Sequence, residues 1–189
     1  MASRPKKAPR ADAIRNRDKI IEVARNAFAT AEDVVSLDAI AKAAGVGSGT
    51  LYRHFPTREA LVEAVYAAEL DDVTGSVPSL LRELPPDEAL RAWMGRYAAF
   101  VATKRGMADT LRAAMASGRI VTAATRERIT GAIATILAAG AESGTLRDDV
   151  DADDVTAMLL GVNLSTTASG TPERTGHLLD LVLDALRTG

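Results

Sequence analysis

The sequence contains no cysteine and only two histidines, His54 and His177. Without thiols there is neither a disulfide framework nor a thiolate metal site, and imidazole chemistry has at most two places to occur. Aromatic residues make up only 4% of the chain, with a single tryptophan, Trp93. No run approaches the roughly 18 consecutive apolar residues of a membrane span. The basic start MASRPKKAPR leads into no apolar core of signal-peptide length. A catalyst would have to rely on carboxylates and hydroxyls, and no nucleophile, base and orienting group come together in the motifs below. The expectation is a soluble, cytoplasmic, non-enzymatic protein that needs no metal and no cofactor and does not meet a membrane.

What is present suffices for one sizeable core, or for a small domain beside a larger one: 189 residues, 47% hydrophobic and 25% charged. The net charge of −2 is unevenly spread, since residues 1–60 hold 11 Lys and Arg against 7 Asp and Glu. The N-terminal part is therefore at +4 and the remainder at −6. Either the first part meets a polyanion, or this is ordinary solvated charge.

Strand-like alternation is scarce, while apolar spacings of three and four recur along the chain, which predicts an all-α fold of about nine helices. A first helix over about 13–29 places Ile20, Val23, Ala24, Ala27 and Phe28 on one face. Residues 1–12, with Arg4, Lys6, Lys7 and Arg10, read as a flexible basic arm. A short second helix is punctuated at both ends by Ser36 as N-cap and Gly45 as a left-handed stop, with Leu37, Ile40, Ala41 and Ala44 between them. A third begins near Gly47 or Ser48 and ends at Phe55, before Pro56. Two short helices joined by a tight glycine-containing turn make a helix-turn-helix.

A helical wheel places Leu51 and Phe55 on the buried side of the third helix. Gly49, Arg53 and, to one side, Thr50 lie opposite, with Tyr52 and His54 on the flanks. A glycine within a helix costs about 0.5–1 kcal/mol relative to alanine, which close approach to a partner would offset. A DNA major groove fits this layout. On the fourth helix Thr57 is the cap and Glu59 suits the first turn, but Arg58 stands at the positive end of the dipole, a conflict that a docked phosphate would resolve.

The stretch SLDAIAKAAGVGSGTLYRHFPTREALVEAV, residues 36–65, resembles the DNA-binding domain of TetR-family transcriptional regulators. The resemblance implies a helix-turn-helix domain over 13–60, joined by a linking helix to a larger effector-binding and dimerisation domain over 61–189. It implies a homodimeric repressor that binds a palindromic operator in double-stranded DNA and is released by a small-molecule effector. A constitutive DNA-binding regulator without an effector is the alternative. Carried over by position, Thr50 and Arg53 face base edges with Gly49 at the point of close approach, while Ser36, Ser48, Tyr52, His54 and Arg58 hold phosphates. Family members commonly have a serine at Gly47, a basic residue at Ser48 and a tyrosine at His54.

Beyond residue 70, Gly75, Pro78, Pro85 and Pro86 suggest a hinge-like connection. A helix over about 87–105 gathers Trp93, Tyr97 and Phe100 on one face, either as core or as the wall of a ligand cavity. Met107, Leu111 and Met115 would suit an adaptable apolar cavity, with Asp109, Arg112, Asn163 and Thr166 as polar groups that could orient a ligand. A long helix over about 119–143 ends at Gly144, and the acidic LRDDVDADDV reads as N-capping rather than a calcium loop. The last two helices, about 152–168 and 173–187, are expected to pair with their symmetry mates as a four-helix bundle.

Overall fold

Short polar caps and proline starts divide the chain into helices, and the computed structural model describes residues 9–30, 35–167 and 171–188. Among these residues the fold is all-α, the one strand-like feature being an isolated antiparallel bridge between Leu146 and Arg187. The helices are α1 (Pro9–Thr30), α2 (Leu37–Ala43), α3 (Ser48–His54), α4 (Arg58–Gly75) and α5 (Val77–Glu83). They are followed by α6 (Pro86–Thr103), a 3-10 turn (Lys104–Met107), α7 (Ala108–Ala116), α8 (Thr122–Ser143), α9 (Ala152–Thr167) and α10 (Pro172–Leu186).

Three differences from the sequence reading share one cause. Helix α1 starts at Pro9, so residues 9–12 of the expected flexible arm are helical, with Asp12 favourably placed in the first turn. Arg10 is thus part of α1, while Arg4, Lys6 and Lys7 lie outside the described residues. The expected hinge contains the two-turn helix α5, with Pro78 at its start, and α6 begins on Pro86. Proline lacks only an N–H that the first turn leaves unpaired anyway, and its fixed φ suits a helix start.

Two compact units emerge. One runs to Ala68 and also takes in Thr103–Ile120; the other comprises Glu69–Ala102 and the chain from Val121 onward. In the first, Ile20, Ala24 and Phe28 of α1 are buried with Ile40, Leu51, Phe55, Leu61 and Val65. Met107, Leu111 and Ala114 are also buried in this unit. Lys104 sits 5.3 Å over the Tyr66 ring, and Arg119 pairs with Glu63 at 2.5 Å.

In the second unit Trp93, Leu90, Met94, Ile133, Ile136 and Leu159 are fully buried. A side chain on Gly140 would come within 2.4–2.6 Å of Leu146, so this glycine lets the turn after α8 close onto the helix. Asp151 accepts the Asp153 N–H at 2.7 Å, the N-capping role that the acidic run suggested. Arg126 grips Asp153 with two hydrogen bonds of 3.1 and 2.8 Å. That contact holds the Asp153 carboxyl below the usual carboxylate range. Such exposed pairs are screened by solvent and add little, so the apolar core carries the fold.

Candidate nucleic-acid interface

The turn is built as the sequence indicates. Ser36 Oγ accepts the Ala39 N–H at 3.2 Å. Gly45 stops α2 with φ of 64°, the left-handed conformation that side chains disfavour. Lys19 Nζ would lie 3.5 Å from a Cβ at that position, placing a cation by the end of α2. Helix α3 follows with Leu51 and Phe55 buried at 0% and 2% exposure, which fixes the orientation of the wheel.

Its other side turns outward. Ser48, Gly49, Tyr52 and Arg53 are exposed, and Thr50 and His54 are half-buried. The side chains of Ser48, Thr50, Tyr52, Arg53 and His54 have no hydrogen-bond or ion-pair partner among the described residues. Elsewhere arginines such as Arg126, Arg128, Arg147 and Arg187 are each held by a carboxylate. Five consecutive-turn donors without partners, seated on a rigid and fully buried inner face, form a surface prepared for an outside acceptor.

Gly49 strengthens this reading, because a Cβ there would meet nothing within 4 Å. The fold does not require the glycine. Gly49→Ala is therefore expected to stabilise the free protein by about 0.5–1 kcal/mol while weakening DNA binding. Thermal unfolding and an operator titration on the same sample would check both signs.

Arg58 departs from its expected role. Its guanidinium lies 5.2 Å over the Phe28 ring and donates to the Val35 carbonyl. The cation at the start of α4 is thus accommodated within the fold: a ring face and a carbonyl offset the unfavourable dipole without a phosphate. Thr57 caps α4 by accepting the Ala60 N–H at 3.2 Å. The backbone N–H of Glu59 and then the Thr57 hydroxyl hold the Glu59 carboxyl below its ordinary range.

The expected ligand-wall residues fall in different units: Trp93, Tyr97, Phe100 and Asn163 in one, Met107, Leu111, Arg112 and Met115 in the other. Trp93 stacks on Tyr97 with ring centroids 5.7 Å apart and donates to the Val73 carbonyl at 3.0 Å. Asn163 is buried and donates to the Leu159 carbonyl of its own helix at 2.8 Å. Met107 and Leu111 are buried and Met115 is half-buried. Arg112 lies on the surface, its side chain 75% exposed and paired with Asp109. On α7 it is one residue past the inward-facing Leu111, hence turned to solvent. Sequence reasoning missed an open cleft of about 560 Å³ between α6 and α10, where Arg91 meets Asp180 and Arg187 reaches Asp184.

A helix-turn-helix presenting unpaired donors on its second helix defines a DNA-binding regulator of transcription, and comparison with known proteins makes the class specific. Residues 20–65 match the model of bacterial regulatory proteins of the TetR family. Residues 85–188 match the C-terminal domain of SbtR-like transcriptional regulators. The chain belongs to the TetR family. A TetR transcriptional regulator of Streptomyces coelicolor is 46% identical, with 90% of this chain and 98% of that one aligned and a TM-score of 0.80. A TetR regulator of Mycobacterium vanbaalenii is 34% identical over 95% and 99%, with a TM-score of 0.73. A helix-turn-helix regulator of Staphylococcus aureus is 41% identical over 63 residues, 33% of this chain. The chain aligns with only about a third of that curated relative's length, 34%. Family membership also settles the chain as a non-enzymatic transcription factor, and among the described residues no helix is long and apolar enough to cross a membrane.

Proposed function

We propose that the protein is a homodimeric repressor that holds a palindromic operator through two copies of α3 and lets go when a small molecule binds the C-terminal domain. The observation carrying this reading is the outward face of α3, where Thr50 and Arg53 stand between the flanking donors Ser48, Tyr52 and His54, all without hydrogen-bond or ion-pair partners among the described residues. In this reading Arg53 and Thr50 read base edges, and the others, with Ser36, fix the helix on phosphates. Dimerisation through α9 and α10 is supported by the apolar side chains these helices leave in solvent: Met158 at 42% exposure, Leu160 at 40%, Leu164 at 67% and Leu181 at 51%. Two α3 helices about 34–36 Å apart would enter successive major grooves on one face of the duplex.

An effector acts by moving α4, whose N-terminal turns belong to one compact unit and whose C-terminal turns belong to the other. Coupling of about 1–3 kcal/mol is typical and reciprocal, so DNA weakens effector binding as much as effector weakens DNA binding. A regulator without an effector is the second reading. It is favoured by the close packing of Trp93, Tyr97 and Phe100, each 6% exposed or less. Selection of genomic fragments by the purified protein at two salt concentrations tests the DNA reading. An enriched palindrome supports a sequence-specific dimer, whereas salt-sensitive binding without a motif would reduce the interaction to electrostatics. Thermal-shift screening against small molecules separates the two readings of the C-terminal domain.

A further inference from the structure

We propose that Arg17 carries the operator interface from the helix-turn-helix onto α1: its guanidinium, seated over the Phe55 ring, grips a backbone phosphate beside the end of α3. This rests on the regulator reading above, whose contacts come from Ser36 and α3, and adds an anchor from another helix.

Helical register brings Arg17 to that place. On α1 the buried residues include Ile20, Ile21, Ala24 and Phe28. Arg17 precedes them by three, four, seven and eleven positions, so it stands in line with the buried face, one turn before the core begins. Positions 12–19 are exposed apart from the half-buried Asn16. Helix α1 therefore runs about two turns past the core, and a cation occupies the position where the inward face would continue.

What this overhang reaches is the end of α3. The Arg17 guanidinium lies 5.5 Å over the ring of Phe55, the residue that closes α3. The Phe55 side chain is buried and also stands beside His54, with ring centroids 6.2 Å apart. One buried ring thus backs a donor from α1 and a donor from α3.

The ring orients Arg17 without satisfying it. Attraction to a ring face engages the charge of the guanidinium and leaves its N–H donors free to bond. Among the described residues Arg17 has neither a hydrogen bond nor a carboxylate partner. Arg58 lies over Phe28 but also donates to the Val35 carbonyl, and Arg15, two positions before Arg17, is paired with Asp12. Of these three, Arg17 alone is held in place by the fold and still lacks an acceptor. The major groove admits one helix, α3, so a side chain arriving from α1 meets the phosphate backbone that borders the groove.

The test is an anisotropy titration of the full chain with its selected operator duplex between about 50 and 200 mM salt. Each phosphate contact releases counterions and contributes about 0.9 to the slope of log affinity against log salt. Arg17→Gln is expected to bind about tenfold more weakly at the low-salt end, with a slope shallower by about 2 for a dimer. The loss should be the same for the operator and for versions altered at one base pair, while Arg17→Lys keeps the wild-type slope. Arg17→Met keeps an apolar stem over Phe55, and should melt with the wild type yet bind like Arg17→Gln. Arg15→Gln removes the same charge from the same helix and should leave the slope unchanged, because that guanidinium is committed to Asp12.

Wild-type slopes in Arg17→Gln and Arg17→Met overturn the proposal and leave Arg17 as a support for Phe55, even if these variants melt lower. An equal loss in Arg15→Gln also overturns it, by making the effect one of net charge, and so does a loss confined to particular base pairs. If the wild type selects no operator, the regulator reading fails and this anchor with it, a result distinct from specific binding whose salt dependence ignores Arg17.

Discussion

Arg53→Ala is expected to weaken operator binding by about 1–3 kcal/mol per half-site and to relax the preference at one base pair in each. Two features set the size of this effect. Arg53 stands on the face opposite Leu51 and Phe55, whose complete burial leaves α3 little freedom to rotate. Its guanidinium is exposed and, among the described residues, has no carboxylate to leave before it can reach DNA. Such a group can donate two hydrogen bonds to one guanine edge, and a good bidentate contact discriminates against the wrong base by about that amount. Removing an exposed, unpaired side chain should leave stability within about 0.5 kcal/mol. Competition titrations against operators varied one base pair at a time would read the result. A uniform loss across all variants would make Arg53 a phosphate contact, and unchanged affinity would mean that α3 presents another face.

The helix-turn-helix was legible because its limits are written in local chemistry. Ser36 can cap only a helix that starts just after it, Gly45 permits the left-handed stop, and Pro56 forbids a continuation of α3. The wheel then needed only the fixed pitch of the helix to sort Leu51 and Phe55 from Arg53. Prolines outside such a frame were ambiguous. Pro9, Pro78 and Pro86 look like breaks in the sequence, yet each lies at the start of a helix. A proline before a periodic run opens a helix as readily as it closes one, and a run as short as α5 shows too little periodicity to decide.

Tertiary choices were not legible at all. Arg58 carries the same local pattern whether it meets a phosphate or, as here, the Phe28 ring and the Val35 carbonyl. Its destination depends on where α1 ends in space. Lys104 continues the helical spacing of α6 in the sequence but sits in a 3-10 turn over Tyr66, some forty positions earlier in the chain. Nothing within reach of a sliding window records that Thr103–Ile120 would join the unit built by the first 68 residues. The candidate ligand residues scattered for the same reason: spacing identifies an apolar face and is silent about what that face meets.

Trp93→Ala should be the most destabilising single substitution considered, costing about 3–5 kcal/mol of a total that for an ordinary domain is about 5–15 kcal/mol. Trp93 is fully buried, stacks on Tyr97 with planes only 4° apart, and donates its indole N–H to the Val73 carbonyl. Alanine would open a cavity, remove the stacking partner of Tyr97 and take a donor from the end of α4. Trp93→Phe keeps most of the volume and an aromatic face but not the donor. The Val73 carbonyl would retain the Ser76 hydroxyl at 2.8 Å, so the lost bond leaves no orphaned acceptor. A cost of about 1–2 kcal/mol is expected there, from one hydrogen bond and a small void. Urea unfolding followed by circular dichroism, since the only tryptophan is the one replaced, should rank wild type above Trp93→Phe and that above Trp93→Ala. The same series decides between core and cavity wall. If the aromatic row is packed core, stability falls in this order and the response to any effector follows it. A Trp93→Phe protein that unfolds like the wild type but has lost its effector would instead make this face the wall of a binding site.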